Sequence, residues 1–232
     1  MKKVYFSGIE IKMIAIFCMC IQHMAYGNLF HKGFYDYAIN IGYIVFPLIM
    51  FMLVEGFIYT QNLQKYMGRI LVCMVVSELP YRLYFYNKIV IGSLYFENIM
   101  AALVIALFSL YFWNRFQGSI LMIVFTTFIS VILTEFFKTD YGFYTIYLAY
   151  IFYFFREYKT VKIILLFFLF MIKYMQIFLA ICLILIILLY RGVLYRENNF
   201  NKTKKYKLQV FFYLFYPLHF LILYFIKCMV LK

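Results

Sequence analysis

Long apolar runs broken by short polar segments are the feature that most limits what this chain can fold into. Of its 232 residues, 67% are hydrophobic and 13% are charged, whereas soluble domains are about 45–50% apolar and about 25% charged. One soluble core of this size could not bury the excess, because a soluble fold needs a polar exterior. The exterior must therefore face lipid, and we expect an all-α, polytopic integral membrane bundle.

A membrane-spanning helix needs about 20 largely apolar residues, and nine segments approach this length. They are residues 10–29, 39–60, 67–86, 94–113, 119–137, 142–155, 161–174, 176–190 and 209–230. The segments between residues 142 and 190 are short, and two of them could be re-entrant or tilted. Without an internal repeat or an appended soluble segment, residues 1–232 are interpreted as a single transmembrane helical domain.

The distribution of positive charge predicts the orientation, because cytoplasmic loops carry an excess of Lys and Arg. Nine alternating spans with a cytoplasmic N-terminus place 15 of the 22 Lys and Arg residues on the inner side. Lys2 and Lys3 precede an apolar stretch, as in a signal peptide. Lys12 interrupts that stretch and no small-residue cleavage site follows, so we expect a retained first span. The net charge of +13 then needs no nucleic acid as a partner.

The five cysteines all lie in apolar runs, without CxxC spacing or clustered histidines. We expect them to be buried, reduced thiols, and we expect no metal site. Glycine-rich phosphate loops, nucleophile-elbow serines and HExxH helices are also absent from the sequence.

Ionisable side chains inside spans are costly and are usually paired or functional. In the predicted topology most of them fall in the outer half of the membrane: His23, Glu78, Arg82, Glu97 with Asn98, Glu135 and Asp140. His219 falls near the middle of the last span and Glu55 towards the inner end of the second. This arrangement predicts a polar cavity that opens outward and has a histidine at its floor, and imidazole is a natural general base near neutral pH.

Two alternatives stay open for these polar residues. Glu78 and Arg82 are four positions apart, so they could simply pair on one helix. A single histidine in a span could only link helices by a hydrogen bond. The cluster alone predicts an enzyme or a transporter, and no more.

Several short motifs occur in a recognisable order. They are Ile11–Ala15 continuing to Gln22-His23, Gly42–Pro47, Val54–Phe57, Thr60–Asn62, Lys65-Tyr66 with Arg69, Ser77–Tyr81, Thr139–Gly142 and Phe212–His219. Together they resemble the TraX family of membrane acetyltransferases over about residues 10 to 225. The resemblance implies acetylation of a pilin subunit's N-terminus, with acetyl-CoA as co-substrate. More distantly, it implies kinship with membrane acyltransferases that decorate sugars.

The chain departs from the family pattern at three places. Gln22 stands where the family usually has Asp, and Tyr43 stands where it usually has Arg. The family's Tyr-Asn-Gly is Tyr190-Arg191-Gly192 here. Without an acid next to His23, Glu78 or Asp140 could orient the imidazole, or the member has changed its substrate or lost its activity.

For acyl transfer from acetyl-CoA we expect the following roles. His23 would be the general base, His219 would polarise the thioester carbonyl or act as a second acid/base, and Glu78 and Asp140 would assist them. The residues expected to contact the acceptor, a peptide or a glycan, are Gln22, Arg82, Glu97, Asn98 and Tyr141. The residues expected to bind the CoA phosphates at the inner mouth, unless they are ordinary positive-inside charges, are Lys65, Arg69, Arg191 and Lys205.

Two other functions compete with an N-acetyltransferase of the bacterial cell membrane that spans the lipid several times. The first is an O-acyltransferase that acts on a surface glycan or lipid. The second is a non-catalytic membrane protein or small transporter, although the inverted repeats and paired broken helices typical of transporters are not seen. Binding of acetyl-CoA would separate both enzymes from the transporter.

Overall fold

The fold is known from a computed structural model, which describes residues 6–88, 97–174, 177–190 and 202–230. Ten α-helices lie within these ranges: α1 (Gly8–Tyr26), α2 (Lys32–Gly42), α3 (Val45–Tyr59), α4 (Leu63–Tyr86), α5 (Ile99–Arg115), α6 (Ile120–Phe136), α7 (Tyr144–Phe154), α8 (Lys159–Tyr174), α9 (Ile177–Leu188) and α10 (Lys202–Val230). In the described ranges, β structure is limited to one bridge, between Phe6 and Tyr190. The predicted all-α membrane bundle is therefore confirmed.

Only some of the helices are as long as the predicted spans. Within the described residues, three stretches are long and apolar enough to cross a membrane: Gly8–Tyr26, Lys32–Tyr59 and Lys207–Val230. The middle stretch joins α2 and α3 across Tyr43 and Ile44, whose backbones stay close to helical. Four further apolar helices have 10–17 residues, which is short of the roughly 20 that a full span requires. The described residues thus contain three clear spans beside shorter apolar helices, where the sequence predicted about nine transmembrane helices.

Side-chain caps determine where several helices begin. At the start of α1, Ser7 and Glu10 form a capping box, in which the Ser7 amide donates to Glu10 Oε2 at 2.7 Å. Asn62 accepts from the Lys65 amide at 2.9 Å and starts α4. Asn98 accepts from the Met100 amide at 3.0 Å and starts α5. Each cap satisfies an N–H group that the helix itself leaves without a partner.

Helix α3 is the centre of the bundle, and α6 is at its edge. Helix α3 contacts α1, α4, α5, α7 and α9, and most of its side chains are buried. In α6, by contrast, only Ser130 and Thr134 are buried, whereas Ile120 is 81% exposed. An apolar helix with an apolar exposed face is suited to contact with lipid.

The cysteine prediction is correct for two residues. Cys18 and Cys73 are buried, and all five thiols are free. Cys228 is exposed, since it lies in the last turn of α10 where few neighbours cover the helix. The expectation that every cysteine is buried was therefore wrong.

The two ends of the bundle carry different side chains. Lys12, Tyr59 and Arg69 lie towards one end, which we call the arginine end. His23 and Tyr84 lie towards the other, which we call the histidine end, and the Tyr84 hydroxyl donates to the carbonyl of His23. The positive-inside count predicts that the arginine end faces the cytoplasm.

The contact between α3 and α4 can be tested at Gly56. A Cβ atom on Gly56 would lie 2.5 Å from Oη and 2.8 Å from Cζ of Tyr66. The Tyr66 ring is buried, and its hydroxyl donates to the carbonyl of Leu53 at 3.1 Å. The ring therefore cannot move away freely. We expect Gly56→Ala to lower the free energy of unfolding by about 1–3 kcal/mol, the usual effect of overpacking.

The measurement is the thermal unfolding midpoint of the detergent-solubilised protein. Gly68→Ala is the matched control, because no atom lies within 4 Å of its added methyl group. That control is expected to keep or raise the midpoint, since Ala favours helix over Gly by roughly 0.5–1 kcal/mol. Equal midpoints for Gly56→Ala and the wild type would contradict the packing described here.

Candidate active site

Two histidines from the first and last helices meet at the histidine end. Nδ1 of His23, on α1, lies 2.9 Å from Nε2 of His219, on α10. The two rings stack with centroids 5.1 Å apart and an interplanar angle of 16°. His219 is 4% exposed, and Phe215 and Phe220 pack against its ring. Sequence reasoning placed these histidines at different depths, whereas the structure joins them by a hydrogen bond.

The neighbours of His219 determine which ring nitrogens carry protons. His219 Nδ1 lies 3.2 Å from the carbonyl oxygen of Phe215, which can only accept. Nδ1 therefore carries the proton, and Nε2 of the neutral ring is an acceptor. His23 must then donate through its own Nδ1, which leaves a lone pair on His23 Nε2. No described residue lies within hydrogen-bond distance of that nitrogen. The pair thus presents a neutral base in a defined tautomer.

His23 lines a cavity of about 280 Å³, which we call the acceptor cavity. The other lining residues are Met19, Gln22, Tyr26, Tyr43, Val45, Tyr81, Phe85, Ile99, Asp140, Tyr141, Lys173 and Tyr216. The cavity lies at the end of the bundle where a polar cavity was predicted. His219 is not at its floor but behind His23, outside the lining. The described link between His219 and this cavity is its hydrogen bond to His23.

Asp140 contributes a carboxyl group to this cavity from the turn between α6 and α7. The side chain is reached by solvent through the cavity, although protein surrounds most of it. Loss of hydration raises the pKa of Asp140 to about 7; Glu97 and Glu78 add to the rise and Lys173 opposes it. The carboxyl therefore changes charge close to neutral pH.

The turn that carries Asp140 requires its glycine. Gly142 has φ of +52°, and a Cβ there would lie 2.5 Å from Oε1 of Glu135. The same Glu135 oxygen accepts from the Phe143 amide at 2.9 Å, just before α7 begins. Thr139 donates its hydroxyl to the carbonyl of Thr134 at 3.1 Å. The Asp-Tyr-Gly motif is thus a tight turn that holds Asp140 at the cavity.

The two single-residue departures from the family pattern lie side by side. Gln22 and Tyr43 line the same cavity. The Gln22 side chain donates to the carbonyl of Ile39 at 3.4 Å and packs where a Cβ on Gly42 would collide with it. The family usually has an Asp and an Arg at these two positions, and this chain has an uncharged side chain at each. The two positions line one cavity, and both charges are absent together. Neither a carboxylate nor a guanidinium is therefore left there without the other.

Four of the predicted site residues do not line this cavity and instead form hydrogen bonds or ion pairs beside it. They are Glu78, Arg82, Glu97 and Asn98. Glu78 Oε1 lies 2.5 Å from Arg82 Nε, so the pairing suggested by their spacing is confirmed. The other Glu78 oxygen accepts from the Asn98 amide, and Glu97 accepts from the Tyr86 hydroxyl. These contacts connect α4 to the segment before α5. The predicted residues that do line the cavity are Gln22, His23, Asp140 and Tyr141.

Sequence reasoning missed most of the tyrosines in the lining. Tyr26, Tyr81 and Tyr216 were not singled out, and Tyr43 was noted only as a departure from the family. With 25 tyrosines in the chain, no spacing distinguishes those that reach the cavity. Their hydroxyl groups are hydrogen-bond donors at the edge of the space that His23 faces.

A second cavity of about 270 Å³, which we call the channel, enters from the arginine end. Its walls are mainly apolar, and Lys12 and Arg69 are among its lining residues. At its deep end it reaches Met19 and Tyr216, which also line the acceptor cavity. Among the described residues, Met19 and Tyr216 are the side chains common to both spaces, so the two cavities adjoin there.

The predicted CoA-binding cations are placed unevenly. Arg69 lines the channel, with its guanidinium 5.9 Å from the ring centres of Tyr66 and Tyr213. Lys65 is exposed at the start of α4 and lines none of the described cavities. Arg191 lies outside the described residues, and so does the side chain of Lys205. Lys12, which was not predicted, lines the channel instead.

Metal ligands are not grouped in the part of the chain that the structure describes. Within those residues, no three His, Cys, Asp or Glu side chains lie close enough to hold an ion.

Comparison with known proteins assigns the family. The family model described as "TraX protein" matches residues 7–227. The "Probable fimbrial assembly protein FimC, serogroup H1" of Dichelobacter nodosus is 36% identical over 78 residues, which are 33% of this chain and 32% of that relative. The match thus spans about a third of that relative's length, and no solved structure matches the chain. Because the family model covers almost the whole chain, including both histidines and the Asp-Tyr-Gly turn, this protein belongs to the TraX family.

Proposed function

We propose that this protein is a multi-pass acetyltransferase of the bacterial inner membrane. It moves the acetyl group of acetyl-CoA to an acceptor amine, the N-terminus of a pilin or of another exported peptide. Its TraX membership and the name of its fimbrial assembly relative support the link to pilin assembly. The observation that carries the proposed chemistry is the His23–His219 pair, which presents an unprotonated Nε2 to a cavity.

The reaction exchanges a thioester for an amide. The acceptor binds as an ammonium group and first loses one proton to water in the cavity. The neutral nitrogen then attacks the acetyl carbonyl, a C–N bond forms and the C–S bond breaks. His23 Nε2 takes the proton that the nitrogen loses and returns it to the departing thiolate, so free CoA leaves as a thiol. Tyrosine hydroxyls in the lining, such as those of Tyr81 and Tyr216, are donors for the negative charge on the carbonyl oxygen.

The two cavities supply separate entrances for the two substrates. In this proposal acetyl-CoA enters the channel from the arginine end, which the charge count places in the cytoplasm. Lys12 and Arg69 provide positive charge near the entrance for its phosphates. The acceptor enters the opposite cavity, and the substrates meet where the two spaces adjoin, at Met19 and Tyr216.

His219 has a different role here from the one the family resemblance implied. Since it lies behind His23, it does not polarise the thioester; it is a positioning residue. It holds the His23 ring and its tautomer, and it accepts from Nδ1 when His23 becomes an imidazolium. Glu78 is occupied by Arg82 and Asn98, so it supports the fold beside the site.

Asp140 favours an amine over a sugar as the acceptor. The same base would activate a hydroxyl group, as an O-acyltransferase requires. An ionised carboxyl in the cavity, however, attracts a protonated amine and gives no such advantage to a neutral sugar. Asp140 is therefore assigned to acceptor binding rather than to proton transfer.

The histidine pair can be tested by substitution. His23→Ala is expected to lower transfer by about a hundredfold or more, because the general base is lost. His219→Ala should lower kcat with little change in the KM for acetyl-CoA. His219→Gln should restore part of the rate, since its amide can accept from His23 and donate to Phe215. The measurement is CoA release by purified protein in detergent, together with saturable acetyl-CoA binding.

The controls lie on the same two helices. Phe17→Leu on α1 and Leu218→Ala on α10 change exposed side chains and should leave the rate unchanged. Equal rates for His219→Ala and His219→Gln would contradict the positioning role. A folded wild type that does not bind acetyl-CoA would contradict the acetyltransferase and favour a transporter or a non-catalytic membrane protein.

A further prediction concerns pH. Asp140 is neutral below about pH 7 and ionised above it, because its pKa is raised to about 7. The KM for a cationic amine acceptor should therefore fall as the pH rises from 6 to 8. In Asp140→Asn that fall should disappear, whereas kcat at high pH is kept. The measurement is the initial rate across this pH range, and Lys138→Gln in the same turn is the control. The same pH dependence of KM in Asp140→Asn and in the wild type would exclude the assignment of Asp140 to acceptor binding.

A further inference from the structure

Glu55 lies at a junction between cavities at the arginine end. It is 3% exposed, near the end of α3. Its side chain lines both the channel and a third cavity of about 250 Å³, which we call the basic cavity. The basic cavity lies between α3, the α7–α8 turn, α8 and α9. Tyr59 also lines both spaces, so a single long molecule could occupy them together.

One oxygen of Glu55 has no hydrogen-bond partner among the described residues. Oε1 lies 3.2 Å from Nε of Arg156, whereas Oε2 is buried and accepts no hydrogen bond from any described residue. A buried carboxylate oxygen without a donor is unfavourable by about 1–3 kcal/mol or more. The position of this oxygen therefore calls for an N–H or O–H group from a bound molecule.

Positive charge surrounds the same carboxylate. Lys162 is 9% exposed and donates to the carbonyl of Arg156 at 3.0 Å, and Lys159 also lines the basic cavity. Arg156 additionally contacts the Tyr59 hydroxyl and lies over its ring at 4.9 Å. The cavity is lined by three cationic side chains, Arg156, Lys159 and Lys162, and by two acidic ones, Glu55 and Glu157. Its net charge is therefore +1.

The start of α8 adds to this charge. The helix begins at Lys159, so its N-terminal turn and the positive end of its dipole lie at the basic cavity. Phe51, Leu166 and Ile187 form apolar walls, which reduce the screening of the charges by water. An anionic group is the natural occupant of the cationic side, and a hydrogen-bond donor must lie close to it.

We propose that the basic cavity binds a phosphate ester with an extended tail. Arg156, Lys159 and Lys162 hold the phosphate, a donor close to the phosphate bonds to Glu55 Oε2, and the long tail enters the channel towards Met19. Two molecules have this chemistry: CoA, with amide N–H groups in its arm, and an anionic phospholipid such as phosphatidylglycerol, with hydroxyl groups in its head. The CoA case rests on the proposed function. It gives one of the CoA phosphates a site in the basic cavity, in addition to the positive charge of Lys12 and Arg69, and leaves Lys65 without a role.

The test compares both ligands on matched variants. The wild type, a Lys159→Gln/Lys162→Gln double variant and Lys65→Gln are placed in phosphatidylcholine nanodiscs. CoA affinity is measured by calorimetry, and retained phosphatidylglycerol is measured by native mass spectrometry after mixed-lipid reconstitution. Arg156 is left unchanged, since its loss would leave Glu55 as an unpaired buried charge.

The double variant should weaken one of the two ligands by about tenfold or more, because charge-assisted hydrogen bonds contribute about 1.5–3 kcal/mol each. Lys65→Gln should weaken neither. Glu55→Gln, which replaces an acceptor oxygen with an amide of the same shape, provides a second test if the double variant does not fold. It should weaken the same ligand.

Each outcome has a distinct meaning. Weaker CoA binding identifies CoA as the occupant, and selective loss of phosphatidylglycerol identifies the lipid. If the wild type retains phosphatidylglycerol through these lysines but does not bind CoA, the site stands and the acetyl-CoA part of the proposed function fails. If CoA binds equally well to every variant and lipid retention is unchanged, the proposed site is wrong and the acetyltransferase is unaffected.

Discussion

The hydrogen bond between His23 and His219 is the contact on which the candidate site depends. It joins α1 to α10 and, through the carbonyl of Phe215, gives both rings a defined tautomer. In many enzymes a carboxylate holds the basic histidine and stabilises its cation. Here a neutral imidazole does the holding, so no carboxylate has to be buried next to the base. In the proposed reaction, a cation on His23 would consequently be less stabilised than it would be next to an acid, because Gln22 stands where the family usually has Asp.

The low dielectric of the bundle divides its polar residues into two groups. Glu78, Arg82 and Asn98 satisfy one another, as buried charges must if they are not to destabilise the fold. His23, Asp140 and Glu55 Oε2 instead face empty space. The first group stabilises contacts between helices, and the second marks the places where other molecules are expected. Spacing in the sequence alone does not separate the groups, because both consist of costly residues inside apolar segments.

Sequence reasoning predicted the helices better than their lengths, and individual site residues better than their contacts. Hydropathy predicted the all-α membrane bundle because a soluble core of this size could not bury so many apolar side chains. It could not show that α10 begins at Lys202 rather than near residue 209, or that Asn98 delays the start of α5. His23 and Asp140 were found because ionisable groups in or beside spans are rare. The bond from His23 to His219 and the pair of Glu55 with Arg156 were not predictable from spacing, since each joins residues about a hundred or more positions apart.

The position of His219 so late in the chain has a consequence for biosynthesis. Membrane helices are made and inserted from the N-terminus onwards, and α1 enters the bilayer long before the ribosome reaches codon 219. During that interval His23 has no partner for its Nδ1, and α4 lacks the helix against which it packs most extensively. A nascent chain, or a product shortened by a premature stop codon, would therefore lack the contact that fixes the tautomer of His23. The candidate site is therefore assembled only when the final helix is translated and packs against α1 and α4.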